Sequence, residues 1–134
     1  MDFESLKKIP HSLEAERALI GGIFYNQDLF DEIRDIVNAE DFYKVEHSSI
    51  YSAIEKVYSE NKGIDGILIE EEIKKSNSKN KEEILEILSD ILDEITSSYN
   101  LLEYANLIKE KAMLRRLGNV GAEITQLAYN DVRV

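Results

Sequence analysis

The sequence predicts an all-α protein: a compact head of about five to six orthogonally packed helices, then one long helix that protrudes. Three observations predict it. Apolar residues recur at steps of three and four, the spacing that lines one face of a helix. Period-two alternation is missing, since Ile64 and Ile67-Leu68-Ile69 are too short to make a strand. The stretch from Ser98 to Tyr129 has no proline and carries three apolar rows. These are Leu101, Ala105, Ile108, Ala112; Met113, Leu117, Val120, Ile124, Leu127; and Tyr104, Leu107, Leu114, Gly121, Ala128. As a helix it runs for about 45 Å, at about 1.5 Å per residue, longer than a domain of this size is wide. Apolar on more than one face, it needs a partner besides its own head. The chain therefore divides into a globular head, residues 1–97, and an arm, residues 98–134.

The head reads as follows. Residues 1–10 are a lead-in ending at Pro10. Ser12 is an N-cap, and Glu14 and Glu16 favour the positive end of a helix over about 12–24. Leu13, Leu19, Ile23 and Phe24 give that helix its apolar side. Gly21-Gly22 costs it about 1 kcal/mol per glycine, which core packing against another element explains. A second helix opens at Asn26-Gln27-Asp28, with Leu29, Phe30, Ile33, Ile36 and Val37 inward. Asn38 to Tyr43 makes a single turn anchored by Phe42. A third helix spans about 47–61, burying Ile50, Tyr51, Ile54, Val57 and Tyr58, and ends at Lys62-Gly63. Asp65 caps a short helix with Leu68, Ile69 and Ile73 inward. Ser76 to Asn80 is a loop. An amphipathic helix follows, with Ile84, Leu88, Ile91 and Ile95 in its stripe and Leu85 and Leu92 beside them. Thr96-Ser97-Ser98 breaks the pattern, and Asn100 with Glu103 has capping-box spacing for the start of the long helix.

Composition limits the function. The 134 residues carry 16 basic and 27 acidic side chains, a net charge of -11. Tight binding to a phosphate backbone needs clustered Lys and Arg, so a protein is the expected partner rather than DNA. With no cysteine there is no disulfide framework and no cysteine metal site. No apolar run reaches membrane-spanning length, and MDFESLKKIP lacks the apolar core of a signal peptide, so a cytoplasmic location is the default expectation. The patterns of a P-loop, a dinucleotide fold and a zincin are all missing. His11 and His47 each sit at a helix start, where capping, packing or contact with a partner are the open roles. Neither belongs to a triad. Glu70-Glu71-Glu72 points in three directions and reads as a solvated face. Arg115-Arg116 is either a solvated pair or an ion-pair contact with an acidic partner. Gly118 and Gly121 mark either the approach of another helix or a bend. No catalytic, cofactor-binding or metal residue is nominated.

Four stretches of the chain, in order, resemble one family. PHSLEAERALIGGI from Pro10 is similar to a P-H-S-x-E-A-E opening followed by a Gly pair. Glu40-Asp41-Phe42-Tyr43 precedes a helix running from His47 to Ile54. Gly63-Ile64-Asp65 stands at the place of a P-V-D. NLLEYANLIKEKAMLRRL, Asn100 to Leu117, resembles an N-I-x-x-Y-A segment and an L-R-R-L. Together they resemble the N-terminal domain of the bacterial replicative DNA helicase, the DnaB family. The chain departs from that pattern at Ile64, at Gly66, in the polar loop 76–80, and at Gly118 and Gly121. The resemblance implies that the long helix is the first half of a helical hairpin. It implies that the chain is a fragment lacking the second hairpin helix and a RecA-type ATPase domain. ATP, Mg²⁺ and duplex unwinding would belong to that domain. It also implies a collar of a hexameric ring, in which hairpins pair between subunits as a trimer of dimers. The collar would bind the primase C-terminal domain and, in some systems, a helicase loader. For the face toward a neighbouring subunit or primase, the outward rows of the long helix nominate Tyr104, Leu107, Lys111, Leu114, Arg115, Leu117 and Gly121. The alternative is the helicase-binding domain of a primase, a similar all-α fold. The opening motif near the N-terminus favours the helicase. A stand-alone enzyme is disfavoured by the lack of any clustered nucleophile, base or metal set.

Overall fold

Side-chain caps open two of the α-helices. In the computed structural model, which describes residues 8–94 and 100–130, Ser12 accepts a hydrogen bond from the Ala15 N–H at 3.2 Å and opens α1, Leu13–Tyr25. A 3₁₀ turn at Gln27–Leu29 leads into α2, Phe30–Ile36, so the second helix starts later than its Asn-Gln-Asp sequence suggests. A second 3₁₀ turn, Ala39–Asp41, precedes α3, Val45–Ser59. Asp65 caps α4, Gly66–Lys75, accepting from the N–H groups of Ile67 and Leu68 at 2.8 and 3.1 Å. α5 spans Lys81–Asp93 and α6 spans Leu101–Asn130. Among the described residues there is no strand. The lead-in up to residue 7, Ile95, the Thr96-Ser97-Ser98 break, the head–arm boundary at 97/98 and residues 131–134 lie outside the described residues.

α3 ends earlier than expected. Asn61, not Gly63, takes the left-handed conformation, with φ of 61°. The Lys62 N–H reaches the Val57 carbonyl at 3.3 Å and the Asn61 N–H reaches Tyr58 at 3.0 Å, the two bonds of a Schellman termination. Asparagine tolerates this region better than most residues, so the sequence signal lay two positions before the glycine.

The core is built mostly from isoleucines and aromatics. Leu19, Ile20 and Ile23 of α1 meet Phe30 and Ile33 of α2, Ile50, Tyr51 and Ile54 of α3, Ile69 and Ile73 of α4, and Ile84 and Leu88 of α5. Each such burial contributes about 1.5–3 kcal/mol. Phe42 lies against Tyr51 with ring centroids 4.8 Å apart, so it anchors its turn as the sequence suggests. The buried Tyr51 hydroxyl donates to the Val37 carbonyl at 2.8 Å, and burial raises its pKa above the ordinary phenol value. Two residues expected inward are exposed, Leu13 at 39% and Leu68 at 38%. Leu13 is the first residue of its helix. Leu68 lies about 100° around α4 from the row formed by Ile69 and Ile73.

Along its first three turns α6 packs into the head. Leu101, Ala105, Ile108 and Ala112 are buried, chiefly against α1 and α2. Gly22 of α1 belongs to this contact. A Cβ on Gly22 would stand 2.1 Å from Leu101 Cδ2, so any larger residue there forces the Leu101 side chain to shift. From Leu117 to Asn130 every residue of α6 is exposed. No helix among the described residues is long and apolar enough to cross a membrane.

Candidate association surface

The surface is built where three separated segments meet at the root of α6. Glu16 of α1 is 1% exposed and has its carboxylate filled from the segment that starts α3. It accepts from the Tyr43 N–H at 2.7 Å and the Lys44 N–H at 3.3 Å, and lies 2.9 Å from His47 Nδ1. These bonds satisfy donors left orphaned at a helix start and explain how a carboxylate persists in the interior. Glu16 is thus tied to the two residues just ahead of α3 rather than being a surface acid of α1, and His47 is its buried partner.

Asp41 is the second buried acid, with no exposed surface. Its Oδ2 accepts from the Asn38 N–H at 2.8 Å and from Lys109 Nζ at 3.2 Å, and its Oδ1 accepts from Arg116. Burial pushes its pKa up, but the Asn38 N–H and the Arg116 and Lys109 cations outweigh that and hold it below the ordinary value. Arg115 adds bonds to two carbonyls, Pro10 at 2.8 Å and Asp41 at 2.6 Å. Its guanidinium also lies over Tyr43, 5.4 Å from the ring centroid, and Tyr43 stacks on His11 at 4.3 Å. The Arg115-Arg116 pair is therefore engaged with its own head. His11 packs on Tyr43, and its Nδ1 is 2.7 Å from the Ile9 carbonyl oxygen.

Beyond this root the apolar surface is exposed among the described residues. Met113, Leu117, Val120, Ile124 and Leu127 are 50–71% exposed. Their spacing of 4, 3, 4, 3 is a heptad seam, the pattern that packs against another helix by knobs into holes. An open groove on α6 collects Met113, Leu114, Leu117 and Val120 between Lys109, Glu110 and Arg116. Of the nominated residues, Leu114 and Leu117 join this groove. Gly121 faces open space, and a methyl group there would meet nothing within 4 Å. Tyr104 and Leu107 are half-buried against the core, and Lys111 is half-buried. Arg115 is held by Pro10 and Asp41. Sequence reasoning overlooks Asp41, Lys109 and Glu16 at the root. It also leaves Met113, Val120, Ile124 and Leu127 out of the site, although their heptad spacing is visible. Glu70 and Glu71 pair with Lys74, and Glu72 pairs with Lys56.

The family model of the DnaB-like helicase N-terminal domain matches residues 8–110. The chain is 33% identical over 120 residues to the replicative DNA helicase DnaB of Leifsonia xyli, and 31% identical over 121 residues to that of Haemophilus influenzae. Both matches cover 90% of this chain and 26% of the relative, so the chain spans about a quarter of their length. The crystal structure of the DnaB N-terminal domain from Mycobacterium tuberculosis superposes with a TM-score of 0.84 at 26% identity, covering 95% of this chain and 91% of that one. The Helicobacter pylori domain, whose structure was described with its interactions with primase, shares the fold with a TM-score of 0.75 at 22% identity and covers 97% of this chain and 100% of that one. A primase domain, the alternative from sequence, is not what these matches indicate. The fold, the motif segments that meet at the arm root and the extent of the match agree: the chain belongs to the family of DnaB-like helicase N-terminal domains.

Proposed function

We propose that this chain acts as the collar of a hexameric replicative DNA helicase, an assembly and docking module without chemistry of its own. Residues 1–97 serve as the head and residues 98–134 as the arm that associates with a neighbouring subunit. The observation that carries this reading is the heptad seam Met113, Leu117, Val120, Ile124, Leu127, exposed along α6 past the head. A contiguous apolar stripe of this kind marks a protein contact. The primase C-terminal domain is the second proposed partner, supported by the H. pylori relative described with primase. A helicase loader is a third. ATP and Mg²⁺ binding and duplex unwinding are proposed for a protein of the relatives' full length, in its remaining part, and a cytoplasmic location goes with that role.

The test is sedimentation of the chain over rising concentration, alone and with a primase C-terminal domain. Self-association or a complex that Leu117→Asp weakens, with the helical signal of the head retained, supports the reading. Association that ignores Leu117→Asp refutes the seam.

A further inference from the structure

The docking face of α6 and its free seam do not coincide. Residues 18 apart share one azimuth, being about five turns apart. Leu101, Ala105, Ile108 and Ala112, which dock, are followed at that azimuth by Asn119, Glu123, Gln126 and Asn130, all exposed and polar. The face that meets the head therefore ends with the head. At about 100° per residue, the seam centred on Met113 and Val120 lies about 110° around the helix from the docking face. Leu102, Tyr104 and Leu107 add partly buried contacts with the core on either side of the docking row, but only over the first two turns of the helix. Rolling of the helix about its axis would swing the seam through the same angle.

Three cations oppose that roll. Lys109 and Arg116 leave α6 about 50–70° to the seam side of the docking face, and Arg115 leaves it about 50° to the other side. All three close on the same short segment. Lys109 and Arg116 bind the Asp41 carboxylate, while Arg115 binds the Asp41 and Pro10 carbonyls and covers Tyr43. The Asp41 side chain is itself fixed by the Asn38 N–H at 2.8 Å.

We infer that Lys109, Arg115 and Arg116 form a two-sided clamp on the Asp41 turn that locks the roll of α6 and so sets the direction in which its association seam faces. They are positioning residues for an incoming apolar helix, which they need not touch. The clamp stands on the contacts above. Its role in association rests on the function proposed for the seam.

The experiment uses spin labels. The chain has no cysteine, so Ser52→Cys and Gln126→Cys give one defined pair, both at exposed positions. Distances between them are read by double electron–electron resonance at a concentration where the chain is monomeric. The expected result is one narrow distance, broadened at least twofold by combined Lys109→Gln, Arg115→Gln and Arg116→Gln, with Arg116→Lys retaining the narrow distribution. An unchanged distribution in the triple variant overturns the clamp. Should the triple variant not fold, single Lys109→Gln must still widen the distribution, and an unchanged width overturns the inference equally. A narrow parent distribution that the clamp variants broaden, in a chain that never associates at any concentration, upholds the clamp and refutes the seam.

Discussion

Replacing Asp41 by asparagine tests what secures the arm. The substitution keeps the size of the side chain and an oxygen for the Asn38 N–H, but removes the charge that Lys109 and Arg116 share. A hydrogen bond to a charged group contributes about 1.5–3 kcal/mol, and a fully exposed pair about 0.2–1. The acid is fully buried, whereas the Lys109 and Arg116 side chains are 32% and 44% exposed. Discounted for that solvent screening, each pair contributes about 1 kcal/mol, so Asp41→Asn costs about 2 kcal/mol. Asp41→Ala also orphans the Asn38 N–H and costs about 1 kcal/mol more. Urea titrations followed by circular dichroism read this directly, with the exposed Asp35→Asn as a control within about 0.5 kcal/mol of the parent. The pH dependence has a definite sign. The folded Asp41 carboxyl titrates below its reference value of 3.8, so its contribution is complete above 3.8 and is lost as pH falls through the folded value. The gap between parent and Asp41→Asn must therefore close in acid. A gap under about 0.5 kcal/mol at neutral pH, or one that persists undiminished at the acid end, refutes the reasoning.

Other substitutions probe the remaining joints. Gly22→Ala drives a methyl into Leu101 and costs about 1–2 kcal/mol after its gain in helix propensity. In a Leu101→Ala background it becomes neutral or stabilising, a coupling that thermal denaturation of the double-mutant cycle measures. Asn61→Gly stabilises by about 0.5–1 kcal/mol and Asn61→Val destabilises by about 1–2, read from denaturation midpoints, because the position has positive φ. Leu117→Asp leaves the melting curve of the head within about 0.5 kcal/mol of the parent, since Leu117 is 68% exposed, while lowering any self-association seen by light scattering. The purified chain should hydrolyse no ATP and show no salt-sensitive DNA binding in a fluorescence titration. Measurable turnover would contradict the proposed role.

Local chemistry was legible from the chain alone. Ser12 and Asp65 cap helices as their side chains dictate, the row from Leu101 to Ala112 docks, and the absence of period-two segments sets the class. These features depend on neighbours within a few residues, which is the range over which periodicity and capping act. The glycine pair in α1 pointed to close packing, but only the fold names Leu101 as the reason. The charged residues were less legible. Glu16 looks like a first-turn acid, Asp41 like an ordinary turn residue, and Arg115-Arg116 like a solvated pair or a contact for an acidic partner. The groups that hold them across the fold stand 27 to 105 positions away, at separations where sequence spacing carries no information. The sequence by itself determined the helices, their apolar rows and the surplus of apolar surface on the last one. Tertiary structure decided which acids are buried, which cations hold them, and thus which side of the long helix is left for a partner. A carboxylate enters the interior only when distant groups fill its oxygens, and that condition is met only once the chain has folded.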